Sequence, residues 1–290
     1  MRAAPQTEQA RDLPLDSHLH TDLSPDSTVP VDAYAAQAIE RGIAEIAITD
    51  HVDFVPGTPA FDFVPFAERE RVVRAAAERW GPLGVAIRFG VEITYDRRHE
   101  TDIREHLAGH AYDFVIGSVH VYADSPYHAD RVASWVAGRS LPEIVAPYFD
   151  EVERAIRSGL FDTVGHLDFV KRYLHPHVTA ADLAAAPELY EPLLTALVET
   201  GTALEVNTSG LRQAARETYP SAAVVARYQV LGGTSVSAGS DAHRLGDFAG
   251  GLEEGYRVAA AAGFRELAFR RGGSRVSVTL PDRMGTPVHT

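Results

Sequence analysis

The sequence predicts an α/β fold: strand–helix units with parallel strands, closed into a single (β/α) barrel. Two observations carry this reading. Short apolar runs alternate with helical patterns of about 10–15 residues, and strands joined by helices of that length run parallel. The ends of those runs bear histidine, aspartate or glutamate one after another, and barrel enzymes place their chemistry at the C-terminal ends of their strands. The chain's 290 residues and 31.5 kDa suit one such barrel. With no composition break or internal repeat, residues 13–281 read as one domain, flanked by a flexible leader at 1–12 and a tail at 282–290.

The elements follow in order. Residues 13–19 form the first strand, which ends in Asp16-Ser17-His18-Leu19-His20. Ser24, Pro25, Asp26 and Ser27 then mark a loop through Pro30. Helical periodicity over 31–41 stops at Gly42, and a second strand at 45–49 runs into Asp50-His51. The stretch 54–66, rich in Pro, Gly and Phe, is long for a connection and is expected to cover the site. A helix over 66–80 is broken by Gly81-Pro82. The third strand, 85–93, carries Glu92, a carboxylate inside an apolar run.

A short helix near 102–107 precedes the fourth strand, 114–119, which delivers His120. Residues 122–139 have no clear period and read as a second cover. Pro142 suits the first turn of a helix reaching Ser158. Residues 163–164 lead into Gly165-His166, and an irregular stretch holds His175-Pro176-His177. Helices at 187–200 and 221–231 alternate with strands at 203–206, ending at Asn207, and 234–238, delivering Asp241 and His243. A helix at 253–262 and a short strand near 275–280 close the chain.

Hydrophobic residues make up 45% of the chain, enough for a sizeable core. The absence of cysteine removes disulfides, thiolate metal sites and cysteine nucleophiles. A metal site must then use imidazole and carboxylate, which suit Zn, Fe or Mn. The net charge of −13 argues against nucleic acid as a general partner, which calls for a basic face. It leaves room for a local cationic pocket for phosphate. Residues 1–12 lack the apolar core of a secretory signal, and no apolar run approaches the roughly 20 residues that span a bilayer. A soluble cytoplasmic protein with no membrane partner is expected.

His18 and His20, at i and i+2, share one face of a strand and can grip one ion. Each further cluster, taken singly, fits a helix N-cap or a satisfied buried histidine better than a metal ligand. Six or more strand ends that all offer ligand types do not fit that bland reading as a set. His106 and His110 are spaced i, i+4 but lack the glutamate of a zinc helix, so they read as surface helix residues. Trp80 and Trp135 read as packing, and His99, His128, His175, His177 and His289 as loop or tail residues. For His128, His175 and His177 a contact with substrate from covering loops is the alternative to the favoured reading as solvated loop histidines.

Taken together and in order, these motifs resemble the polymerase-and-histidinol-phosphatase (PHP) superfamily. The carriers are His18-Leu19-His20-Thr21 with Asp26, Ile48-Thr49-Asp50-His51, Gly90-Val91-Glu92, Gly117-Ser118-Val119-His120, Gly165-His166-Leu167-Asp168 and Ser240-Asp241-Ala242-His243. Length, the absence of an appended domain and Glu205-Val206-Asn207-Thr208-Ser209-Gly210 resemble the histidinol-phosphatase branch most. The resemblance implies a distorted seven-stranded TIM-like barrel with three divalent metal ions (Zn, Fe or Mn) at its C-terminal mouth. It implies that His18, His20, Glu92 and Asp241 hold the first metal. Glu92 bridges to a second held by His120 and His166, and Asp26, His51 and His243 hold the third. Many relatives carry histidine where Asp26 stands, a difference expected to bear on the third metal's identity or affinity.

The implied chemistry is attack of a metal-held hydroxide on a phosphate monoester, without a phosphoenzyme. Glu92, Asp241 and His243 are taken as catalytic as well as ligating. Asp50 and Asp168, beside ligand histidines, are candidates to orient imidazoles. Arg172, Lys171 and Arg244 are candidate phosphate contacts, because cations, and guanidinium in particular, bind phosphate oxygens. Asn207 is a candidate substrate or supporting contact. The expected activity is hydrolysis of L-histidinol phosphate in histidine biosynthesis. Three alternatives stand beside it: a PHP phosphoesterase acting on nucleotides or nucleic-acid ends, an amidohydrolase-type C–N hydrolase, and a non-catalytic metal-binding regulator. Three metal positions favour phosphate over C–N cleavage, and a complete ligand set disfavours the regulator.

Overall fold

The computed structural model describes residues 13–122, 124–271 and 273–280, so the leader and tail expected at 1–12 and 282–290 lie outside the described residues. The apolar runs form one parallel sheet in chain order: β1 (Leu15–Leu19), β2 (Glu45–Ile48), β3 (Ala86–Thr94), β4 (Phe114–Ser118), β5 (Thr163–Val164), β6 (Ala203–Asn207) and β7 (Val236–Gly239). After Thr49-Asp50 the second strand resumes as His51–Val52, where His51 pairs with Glu92. The outer strands meet where the Asp241 N–H donates to the His18 carbonyl at 2.8 Å and the His20 N–H to the Ala242 carbonyl at 3.0 Å. These bonds nearly close a seven-stranded barrel.

Every residue of β1, β2 and β4–β7 is buried. A parallel sheet covered on both faces selects continuous apolar runs rather than alternation, which explains why these strands show no period of two. The closure depends on Gly239, since a Cβ there would come within 2.3 Å of the His18 Cβ. β1 also bulges: Asp16 pairs with Ile46 but Leu19 with Ile48, so three steps on one strand match two on the other. Bulges re-aim side chains beside functional sites, and this one spans Ser17 and His18.

The helices pack around the sheet: α1 (Val31–Arg41), α2 (Phe66–Trp80), α3 (Glu100–Gly109), α4 (Val132–Val136), α5 (Leu141–Ser158), α6 (Val170–Leu174), α7 (Ala180–Ala184), α8 (Glu191–Thr200), α9 (Ala222–Val230) and α10 (Leu252–Ala262). In α5 the buried stripe Ile144, Val145, Tyr148, Phe149, Val152, Ala155 and Ile156 follows helical spacing, and Ser140 and Glu143 form a capping box.

The structure departs from the sequence reading in three places. The stretch 122–139, read as aperiodic, contains α4, one short turn of helix too brief to show a period. The last strand is half of a hairpin, β8 (Glu266–Arg271) with β9 (Ser274–Thr279). Phe269 of that hairpin packs on Phe114 with ring centroids 4.9 Å apart, and Arg271 and Arg88 hold the buried Glu45. Because Phe114 and Glu45 open their strands, the hairpin covers the end of the barrel opposite the mouth. His106 and His110 are half-buried rather than solvated. The Tyr112 hydroxyl lies 2.9 Å from His106 Nε2, and the His110 ring packs on Phe66 at 4.2 Å. Trp80 and Trp135 pack as expected, their indole N–H groups bound to Asp32 and to the Ile144 carbonyl.

Candidate metal centre

At the C-terminal end of the strands the structure brings all nine expected ligands into one cluster. Four groups have ligand atoms within 4.8 Å of one another: His18 with His20 and Asp241; His18 with Glu92 and His166; His51 with Glu92 and His120; and His20 with Asp26, His51 and His243. Glu92 is the hub. Its Oε1 accepts from the Ser118 hydroxyl at 2.5 Å and faces His166 Nε2 at 2.9 Å and His120 Nε2 at 3.6 Å. Its Oε2 faces His51 Nδ1 at 2.9 Å and the Nε2 atoms of His18 and His20 at 3.4 Å each. Asp26 bridges His51 Nε2 at 3.3 Å and His243 Nε2 at 3.1 Å, and is the most exposed member of the cluster.

Backbone geometry contributes as well. Asp241 sits at φ 52° and His166 at φ 22°. A non-glycine residue in the left-handed region costs about 1–3 kcal/mol and persists where its surroundings over-determine it. The strain lies at two of the nine ligand positions.

The imidazoles are oriented by what their other nitrogen meets. His18 Nδ1 lies 2.7 Å from Glu205 Oε1, His120 Nδ1 lies 2.9 Å from the Thr94 hydroxyl, and His243 Nδ1 lies 3.1 Å from the Asp241 carbonyl. A bond at Nδ1 leaves Nε2 as the donor to a metal. His18 and His20 then bring their Nε2 atoms within 3.0 Å of each other. The buried Glu92 Oε2 receives no hydrogen bond. Converging lone pairs beside an orphaned carboxylate oxygen fit a cation, and imidazole with carboxylate is the donor set of Zn, Fe and Mn. The site therefore fits divalent metal.

Without metal these groups must neutralise one another. Burial raises the carboxyl of Glu92, but His18, His51 and His120 overcome it and hold the group well below the usual range; Asp241 behaves likewise beside His18 and His20. Burial disfavours the charged forms of His18 and His51, yet the carboxylates around them hold both well above the ordinary histidine value. His120 goes the other way, pushed down to about 4 by burial. The signs set a stability window. The raised histidines His18, His51 and His243 stabilise the fold below pH ~6.5 and lose that contribution as pH rises through their folded values. The depressed His20 and His120 cost stability below pH ~6.5 and offset part of it, and the depressed carboxylates contribute above pH ~4. Metal-stripped protein is therefore expected to be most stable near pH ~5–6 and to lose Tm toward pH 9. Zinc-saturated protein should instead gain Tm from pH ~5 to 7.5, because metal takes deprotonated imidazole. Thermal unfolding across that range, with and without zinc, checks both trends; stripped protein whose Tm climbs between pH 6 and 9 contradicts them.

The cluster floors an open cavity of about 1150 Å³. Asp53, Pro59 and Ala60 from the loop after β2, Tyr122 and Tyr127 from the loop after β4, and His175-Pro176-His177 line its walls. Of the expected phosphate contacts, Arg172 and Arg244 face this cavity. Lys171 does not line it: its Nζ is buried between Asp168 at 2.7 Å and Glu217 at 2.6 Å. Asp50 and Asp168 also depart from expectation, for neither contacts an imidazole. Asp50 accepts from the Thr21 N–H at 2.6 Å and hydroxyl at 2.8 Å, bracing the loop that leaves β1. Asp168 accepts from the Tyr190 hydroxyl at 2.8 Å as well as from Lys171. Asn207 is fully buried beneath the mouth, donating to Glu205 at 3.0 Å.

Three residues were missed by sequence reasoning. Arg212 lines the cavity, donates to the Asp241 carbonyl at 2.7 Å and keeps a buried Nη1 without a partner. Asp53 also lines the cavity, nearly buried. Arg212 ends a single 3-10 turn (Ser209–Arg212) and Asp53 forms an isolated bridge to Phe61, both too short to carry a periodic signal. Glu205, a carboxylate within an apolar strand, carried the same signal that marked Glu92.

Residues 16–209 match the family model described as PHP domain. The chain belongs to the PHP domain family. Its PHP relatives include a Deinococcus radiodurans protein named probable histidinol-phosphatase, 30% identical over 88% of this chain and 96% of that one. The histidinol-phosphatase of Lactococcus lactis is 27% identical over 88% of this chain and 93% of its own length. In three dimensions the PHP barrel superposes with TM-score 0.78 on histidinol phosphate phosphatase from Lactococcus lactis, solved with Zn, L-histidinol and phosphate. That match has 25% identity and covers 90% of this chain and 98% of the other. No helix among the described residues is long and apolar enough to cross a membrane.

Proposed function

We infer that this protein is a metal-dependent phosphatase that hydrolyses L-histidinol phosphate to L-histidinol and phosphate. The observation that carries the inference is one cavity with seven of the nine clustered metal-ligand side chains on its floor, His18 and His20 buried beneath them, and Arg172, Arg212 and Arg244 on its walls. The fold match to a phosphatase holding zinc, histidinol and phosphate supports it. Three ions are proposed: one at His18, His20, Glu92 and Asp241, one at Glu92, His120 and His166, and one at Asp26, His51 and His243. Three carboxylates against three divalent ions leave the floor positive, suited to a phosphate dianion. When bound, the ions would polarise the phosphate oxygens, lower the pKa of water and neutralise the leaving alkoxide.

The protein's own groups do the rest. Arg172, Arg212 and Arg244 orient the phosphate and carry part of its charge. Asp53 sits in no ion pair among the described residues and offers its carboxylate to the ammonium group of the substrate. Cationic and anionic walls facing one cavity match an ester with phosphate at one end and ammonium at the other. A nucleotide would bring no ammonium to Asp53.

The test is phosphate release from L-histidinol phosphate, mononucleotides and sugar phosphates with Zn, Mn or Fe supplied. Histidinol phosphate is expected to lead in kcat/KM by at least about a hundredfold, equivalent to ~2.7 kcal/mol. Equal rates across the panel would move the protein elsewhere among PHP phosphoesterases. Asp53→Asn is expected to raise KM for L-histidinol phosphate about tenfold or more, the worth of a charged hydrogen bond. It should leave phenyl phosphate hydrolysis nearly unchanged. Equal losses on both esters would remove Asp53 from ammonium recognition.

A further inference from the structure

The Glu205 carboxylate has no exposure to solvent, yet it touches the ligand frame on three sides. Its Oε1 lies 2.7 Å from His18 Nδ1, and its Oε2 accepts from the His166 backbone N–H at 2.8 Å and from Asn207 Nδ2 at 3.0 Å. Asn207 Nδ2 also lies 3.4 Å from Asp241 Oδ2. A glycine helps to make the slot: a Cβ on Gly239 would stand 3.0 Å from Oε1. Burying a charge is costly unless it is bound on all sides, and here the binding partners are ligand residues or their neighbours.

We propose that Glu205 is a positioning residue of the metal centre. It fixes the proton of His18 on Nδ1, so that Nε2 faces the metal, and it holds the left-handed backbone of His166. Oε1 can accept only if His18 carries its proton on Nδ1. Oε2 takes the one N–H that the turn at His166, φ 22°, points inward. One carboxylate therefore sets the tautomer of one ligand, the backbone of a second and, through Asn207, the rotamer of a third. The proposal rests on the metal-centre reading and is independent of which ester is cleaved.

Glu205→Gln preserves the shape and exposes the role. An amide oxygen kept against His166 N–H and Asn207 presents its NH₂ to His18 Nδ1. His18 must then hold its proton on Nε2, where it blocks the metal. The reverse orientation sets the NH₂ against two donors. Either way the frame loses a bond.

The test is metal binding itself, read as ions per protein and by chelator competition on zinc-loaded protein, with wild type establishing the full complement. In Glu205→Gln one ion is expected to bind about 10- to 100-fold more weakly, the usual effect of removing an orienting partner. Excess zinc should restore part of kcat. Affinities equal to wild type would overturn the proposal. So would a lowered Tm of the stripped variant with unchanged zinc affinity, the pattern of a purely structural carboxylate. Should the variant fail to fold, ¹⁵N-histidine spectra of zinc-loaded wild type decide the matter. His18 is expected with its proton on Nδ1 and zinc on Nε2, and the opposite arrangement refutes the role of Glu205. A wild type that binds no zinc would instead overturn the metal-centre reading.

Discussion

Glu92→Ala is expected to lower kcat/KM for L-histidinol phosphate by about a thousandfold or more, ~4 kcal/mol of transition-state stabilisation, and to release bound metal. No other carboxylate of the centre faces as many of its imidazoles: its two oxygens face five imidazole nitrogens, from His18, His20, His51, His120 and His166. Removing it leaves His120 and His166 facing no carboxylate among the described residues and opens the proposed bridge between two metals. The loss should exceed that from any single rim arginine, because an arginine acts on one end of the substrate and Glu92 on the whole floor. Metal content by elemental analysis and phosphate release measured together check this. A variant that keeps full metal content and more than a tenth of the activity would remove Glu92 from its central role.

Lys171→Met should cost at least about 3 kcal/mol of stability while leaving KM within about twofold of wild type. Its ammonium is almost fully buried between Asp168 and Glu217. Removing one partner of a buried pair strands the other charge, at a cost of roughly 3–5 kcal/mol. Glu217 is partly exposed and can rehydrate, but Asp168 is fully buried and keeps only the Tyr190 hydroxyl, so about 3 kcal/mol is the minimum cost. Arg172→Ala should show the opposite pattern, because its guanidinium lies over the Phe169 ring, 5.2 Å from its centroid, and faces the cavity. There KM is expected to rise about tenfold, the worth of one charged hydrogen bond, with little change in unfolding. Urea unfolding and steady-state kinetics on the two variants separate the roles. A raised KM in Lys171→Met at unchanged stability would return that lysine to the substrate.

Much of the centre was legible along the chain because barrels repeat a simple rule. Each strand is an apolar run, and its end faces the mouth, so ligand types at consecutive strand ends could be read as one set without coordinates. His18, His51, His120, His166 and Asp241 follow this rule directly. Glu92 stood out as a carboxylate that an apolar strand would not otherwise tolerate. Glu205 obeys the same logic but sits one layer deeper, below the mouth, where a buried charge supports ligands rather than joining them.

The sequence by itself determined the alternating α/β order, the set of ligand-type residues and the absence of thiolate chemistry, because these depend on residue type and short-range period. The tertiary structure alone decided which cation faces the cavity. Lys171 and Arg172 are neighbours in the chain, yet on the short helix α6 their side chains diverge, one into a buried carboxylate pair and one into the mouth. It also decided that Asp50 and Asp168 brace loops instead of imidazoles, and that Arg212 and Asp53 reach the site. Loops carry no period, so where their side chains point is set by contacts between segments far apart in the chain. The bulge at His18 and the close approach of Gly239 belong to the same class. The bulge arises only when β1 pairs with β2, and the close approach only when the last strand meets the first and the ring of strands nearly closes.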